Sequence, residues 1–80
     1  MRPTPSLFQT QMDEKFYNLT KDVTDLDSEE IIDLFVILRH MIMKTDFDDT
    51  QKAELLSHLS YLTITTIDLY ADSKYPQLSY

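Results

Sequence analysis

The stretch LDSEEIIDLFVILRHMIMK, residues 26–44, decides the fold. It begins with a helix-start signal, because Asp27 is a favourable N-cap residue and Glu30 stands three positions later, as a capping box requires. It ends on Lys44, whose positive charge suits the C-terminal end of a helix. The pattern therefore predicts a helix over residues 28–44.

The same segment is apolar around most of its circumference. At 100° per residue, its apolar side chains fill an arc of roughly 200°. The polar stripe is narrow, and Val36 and Ile37 lie on its flanks, where polar residues would be expected. A helix this apolar is typical of a central element that is covered on more than one side. The arc contains Ile31, Ile32, Leu34, Phe35, Leu38, Met41, Ile42 and Met43.

The segment before this helix carries a weaker helical pattern. Apolar residues at spacings of three and four predict a helix over residues 10–23. Two prolines among the first five residues indicate an extended, flexible tail over residues 1–9. Because Pro76 cannot continue a helix, a second tail is expected over residues 75–80, which leaves a single helical domain over residues 10–74.

A third helix is predicted over residues 49–72, where apolar side chains follow a 4-3-4-3 spacing. Asp46 or Asp48 is expected to cap it, and Asp48 would form a capping box with Gln51. Residues 63–67 are β-branched throughout and have strand propensity. The apolar stripe nevertheless stays on one face through that segment, which favours a helix.

The composition agrees with an all-α fold. The chain of 80 residues has no glycine and no cysteine. Because phosphate-binding loops and dinucleotide-binding fingerprints require glycine, the chain cannot contain either motif, and tight β-hairpins are disfavoured. Without cysteine, disulfides and thiolate metal sites are excluded. We predict a small helical bundle built on an antiparallel hairpin of the second and third helices, and completed by self-association or by a partner.

The charge limits the classes of partner. A net charge of −7 makes direct binding to nucleic acid or to an anionic membrane unfavourable. No apolar run is long enough for membrane insertion, no signal peptide is recognisable, and a cytoplasmic location is expected. More than half of the fourteen acidic residues lie between Asp13 and Asp33. They form either a solvated face or an acidic surface that imitates nucleic acid and inhibits a basic enzyme.

Two groups of residues could suggest chemistry. Asp46 and Asp48 are spaced like the first ligands of a calcium loop, but Gln51 stands where such a loop needs glycine. Glu54 and His58 lie four residues apart on one helix face, which is half of a metal or acid–base site. Capping and surface exposure explain these residues better. We therefore predict no metal, no cofactor, no catalytic residues and no enzymatic activity.

The function expected from these features is protein–protein interaction through a helical face, as in a small adaptor, regulator or inhibitor. The partner would be another protein, a second copy of the chain, or both. Arg39 either extends its stem along the apolar edge of the second helix or pairs with a carboxylate of another chain. The candidate partner-binding residues are Phe35, Val36, Ile37, Arg39, Ile42 and Met43.

The C-terminal tail contains one short motif. Residues 75–78, Tyr-Pro-Gln-Leu, are similar to the Tyr-Pro-x-Leu peptides that recruit membrane-budding machinery, and they also fit the looser Tyr-x-x-Leu sorting pattern. A flexible tail is where such peptides act. A chance match is the simpler interpretation of four residues.

Overall fold

The described part of the chain is a bundle of three α-helices. The structure, a computed structural model, describes residues 4–22 and 25–75. Within them the chain forms α1 (Pro5–Thr20), α2 (Ser28–Met43) and α3 (Asp49–Lys74), and none of the described residues is in a strand. The prediction of an all-α bundle is confirmed. None of these three helices combines the length and apolarity that crossing a membrane requires.

The start of α2 follows the sequence signal in part. Asp27 is the N-cap residue, and its carboxylate Oδ1 accepts a hydrogen bond of 3.0 Å from the backbone N–H of Glu29. The predicted cap is confirmed. The capping box predicted with Glu30 is not formed, because the Asp27 carboxylate takes the amide one position before the one that a box uses.

The start of α3 has the cap and the capping box that its sequence predicts. The Asp48 carboxylate accepts from the backbone N–H of Gln51 at 2.8 Å, and the Gln51 side-chain oxygen accepts from the backbone N–H of Asp48 at 3.2 Å. This is the predicted capping box. Local side-chain chemistry alone therefore fixes where α3 begins.

The boundaries of α1 were predicted wrongly. The helix begins at Pro5 rather than at residue 10, so the expected tail over residues 1–9 is wrong for residues 5–9. Thr4 is the N-cap, and its hydroxyl accepts from the backbone N–H of Leu7 at 3.1 Å. Pro5 occupies the first turn, where its fixed φ suits a helix and its missing N–H is not needed. The helix ends at Thr20, so the predicted helix is wrong for residues 21 and 22, and its predicted end at residue 23 lies outside the described residues.

The other helix ends lie close to prediction. The last residue of α2 is Met43, with Lys44 as its C-cap, and α3 continues to Lys74, two residues beyond the expected end. Apart from Tyr75, the C-terminal tail and its four-residue motif lie outside the described residues.

Helix α3 forms the spine of the bundle and contacts both other helices, most extensively α2. The short connection after α2 makes α2 and α3 an antiparallel hairpin, and the Nζ of Lys52 donates to the carbonyl of Met43 at 3.3 Å across it. Helix α1 runs parallel to α3 along its other side, because Gln9 lies beside His58 and Thr20 beside Leu69. The chain therefore runs up, down and up.

All three helices contribute to one core. Its buried side chains are Phe8, Met12 and Phe16 from α1, Leu38 and Ile42 from α2, and Leu55 and Leu59 from α3. Two threonines of the β-branched segment are also buried, and their hydroxyls donate back to helix carbonyls: Thr63 to Leu59 and Thr66 to Leu62, both at 2.8 Å. These bonds satisfy both hydroxyls inside the helix, and the helix predicted through this segment is confirmed.

Candidate protein-interaction surface

The structure separates the six predicted partner-binding residues into two groups. Ile42 is 0% exposed and belongs to the core, so the expectation that it could remain on the surface is wrong. Phe35 is half-buried and packs against the same core. In contrast, Val36 is 47%, Ile37 55% and Met43 56% exposed. Arg39 is exposed as well, so these last four remain available to a partner.

The four exposed residues lie together near the C-terminal end of α2. They line one open depression, and the wall opposite α2 is formed by Leu56 of α3. His40 and Met41 complete the depression, and the sequence analysis had not singled them out as binding residues. Met41 had been placed in the apolar arc, but the arc alone does not indicate which part of it the other helices cover.

The periodicity of α2 explains this exposure. Ile31, Leu38 and Ile42 are buried and share one face of the helix. A second row lies beside that face, at spacings of four, three and four residues, and every member of it is exposed. We call this row the α2 stripe: Ile32, Val36, Arg39 and Met43. Helices α1 and α3 pack on the first face and leave the stripe open.

Charge is distributed unevenly along α2. The acidic residues Glu29, Glu30 and Asp33 lie in its first half. Arg39 lies in its second half, and Lys44 follows directly as its C-cap. Among the described residues Arg39 has no acidic partner, so its guanidinium is available for a carboxylate of another molecule.

A second polar arrangement joins α1 to α3. The Nε2 of His58 lies 2.6 Å from Oδ1 of Asp13, and the side-chain amide nitrogen of Gln9 lies 3.5 Å from Nδ1 of the same ring. The neutral imidazole that donates from Nε2 and accepts at Nδ1 satisfies both neighbours. The ring also lies nearly parallel to that of Tyr61, with 6.4 Å between the ring centroids.

Among the residues that the structure describes, the side-chain hydrogen bonds of His58 go to α1, and none of them involves Glu54, with which it was considered as half of a metal or acid–base site. The partner of His58 is Asp13, which is 45 residues away in sequence and was not a candidate. Within the described residues no hydroxyl group is hydrogen-bonded to the imidazole. The geometry of the pair fits a clasp between two helices.

The described residues contain no cluster of three or more His, Asp or Glu side chains that could hold a metal ion. Asp48, one of the two aspartates spaced like calcium ligands, instead caps α3. His40 lies on α2 and His58 on α3, and they line different depressions.

Comparison with known proteins gives no relative. No protein-family model matches the chain, and no curated protein or solved structure matches it either.

Proposed function

We propose that the protein is a non-enzymatic interaction module, a small adaptor, regulator or inhibitor that binds another protein chain through the exposed face of α2. The observation that carries this proposal is the group of large apolar side chains left open on one end of a single helix: Val36, Ile37, Met41 and Met43. Apolar side chains scattered singly over a surface are ordinary, but a contiguous group is typical of an interface.

The free energy available from this face is large for a protein of this size. Full burial of one such side chain contributes roughly 1.5–3 kcal/mol, and each of Val36, Ile37 and Met43 still exposes about half of its surface. Together they would contribute roughly 2–5 kcal/mol on association. This is comparable to the net stability of about 3–5 kcal/mol that a core of this size supplies.

Arg39 suits the same role. Its stem extends the apolar surface, and its guanidinium can form a bidentate pair with a carboxylate at the rim of the contact. Arginine is enriched at protein interfaces for this reason. The alternative proposal is an acidic surface that imitates nucleic acid. Such a surface would bind through the acidic residues, and it gives Arg39 and the exposed apolar side chains of α2 no role in binding.

The test compares two isoleucine-to-glutamate variants. Ile37→Glu places a charge in the depression, whereas Ile64→Glu makes the same change at an exposed position of α3 outside it. Each variant is first checked for folding by circular dichroism. A protein that binds the wild-type chain is identified by mass spectrometry, purified and titrated against both variants.

We expect Ile37→Glu to weaken binding at least tenfold and Ile64→Glu to leave it unchanged, with affinity largely maintained in high salt. If Ile37→Glu and Ile64→Glu bind every identified partner protein with equal affinity, the proposal is overturned. Binding that falls steeply with salt and is insensitive to Ile37→Glu would support the acidic mimic instead.

A further inference from the structure

We propose that the occupant of the α2 stripe is a second copy of this chain, packed with its α2 antiparallel to the first. The inference rests on the proposed function and names the partner. Two features of α2 support it. The spacing of the stripe is the same in both directions along the helix. The charged residues beside the stripe are acidic in the first half of α2 and basic in the second half, so they attract one another when two copies are antiparallel.

The spacing of the stripe is symmetric. Its residues follow one another at intervals of four, three and four, so the pattern is unchanged when the helix is reversed. In an antiparallel pair centred between residues 37 and 38, Ile32 faces Met43 of the second copy and Val36 faces Arg39 of the second copy. This interval is the one used by side chains in the seam between two packed helices.

The charges beside the stripe select the direction. Glu29, Asp33, His40 and Lys44 lie on one flank, between about 50° and 110° around the helix from the centre of the stripe. In the antiparallel pair this flank faces the same flank of the second copy, which runs in the opposite direction. Asp33 then lies next to His40 and Lys44 of the second copy, and Glu29 lies next to Lys44 of the second copy. In a parallel pair this flank would instead face the opposite flank of α2, which carries no charged residue, so these attractions would not form.

The contact should be weak. Helix α2 has 16 residues and is about 24 Å long, so its stripe covers less area than the roughly 800 Å² per partner of a standard interface. The two copies of Arg39 also lie near the twofold axis, where their like charges repel. We therefore expect a dimer that forms at high protein concentration and dissociates on dilution.

Charge reversal tests the direction. Asp33→Lys alone and Lys44→Glu alone should each weaken the dimer at least about fivefold, since each places like charges next to each other at both ends of the pair. The double variant should recover part of the lost association, because residues 33 and 44 are again of opposite sign, whereas the glutamate introduced at position 44 still lies next to Glu29 of the second copy. Asp68→Lys on α3 is the matched control for Asp33→Lys, because it makes the same change in net charge at an exposed position outside α2. Association is measured by light scattering over a dilution series, and folding by circular dichroism.

Cysteine cross-linking tests the register. The chain has no cysteine, so Ile32→Cys and Met43→Cys each introduce a single thiol. After mild oxidation, a mixture of the two variants should give mainly the mixed disulfide dimer, identified by mass spectrometry. A parallel pair would give each variant cross-linked to itself, and that result would overturn the proposal.

The outcomes separate this inference from the proposed function. A chain that is monomeric at every concentration and gives no cross-link, while Ile37→Glu still abolishes binding to an identified different protein, would overturn self-pairing and leave the interaction function intact. A monomer with no partner sensitive to Ile37→Glu would overturn both.

Discussion

Phe8 offers a direct test of the first turns of α1, where the structure and the sequence-based expectation disagree. The side chain is 6% exposed and belongs to the core shared by the three helices. Its ring meets that of Phe47 edge to face, with 6.4 Å between the ring centroids and 81° between the ring planes. Truncation to alanine should therefore remove both core packing and an aromatic contact.

The expected cost of Phe8→Ala can be estimated from this position. Phenylalanine-to-alanine changes in cores cost about 3–5 kcal/mol. Phe8 lies near the beginning of α1, where the chain can partly close the space left behind, so we expect about 3 kcal/mol. For a domain of this size each kcal/mol lowers the melting temperature by about 4–8 °C, which gives a decrease of about 12–24 °C.

The assay is thermal and urea unfolding followed by circular dichroism, with Leu7→Ala as the control. Leu7 is the preceding residue on the same helix, and it is 44% exposed. Its truncation should cost less than about 1 kcal/mol. If both variants unfold like the wild-type chain, the segment is the flexible tail that its prolines suggested, and the assignment of Phe8 to the core is wrong.

Three further outcomes are expected. Asp27→Ala should lower the free energy of unfolding by about 0.5–2 kcal/mol through loss of the α2 cap, and an unchanged urea midpoint would contradict this. Asp13→Ala should lower the free energy of unfolding by less than about 1 kcal/mol, because the carboxylate is more than half exposed. A coupling energy above about 2 kcal/mol in a double-mutant cycle with His58→Ala would contradict this. Neither His40 nor His58 should bind zinc tightly, and a stoichiometric sub-micromolar site in isothermal titration would refute that.

The helix starts that were predicted correctly depend on interactions only a few residues long. Asp48 and Gln51 are three positions apart, and Asp27 bonds an amide two positions away. The start of α1 had a local signal of the same kind, a threonine followed by proline in the first turn. It was missed because Pro5 was interpreted as a residue that favours extended chain, although proline is equally suited to the first helical turn.

Other features were beyond a local interpretation. The wheel of α2 correctly indicated an apolar arc too wide for one contact, but only the packing of α1 and α3 decides that Ile42 is covered and Met43 is not. In the same way, the four-residue spacing of Glu54 and His58 indicated only that they share a helix face. The bond to Asp13 depends on how α1 lies along α3, and no spacing within one helix predicts that.

The width of the apolar arc of α2 supports our proposal that the bundle associates with another chain. A helix that packs on two neighbours needs an apolar stripe of about 100°, whereas that of α2 extends over roughly 200°. The surplus is not explained by the stability of the monomer, because Ile32 and Val36 expose about half of their surface while the core is closed without them. Replacing either with glutamine should leave the unfolding of the monomer nearly unchanged and should weaken association. A large loss of monomer stability would instead show that these side chains belong to the fold.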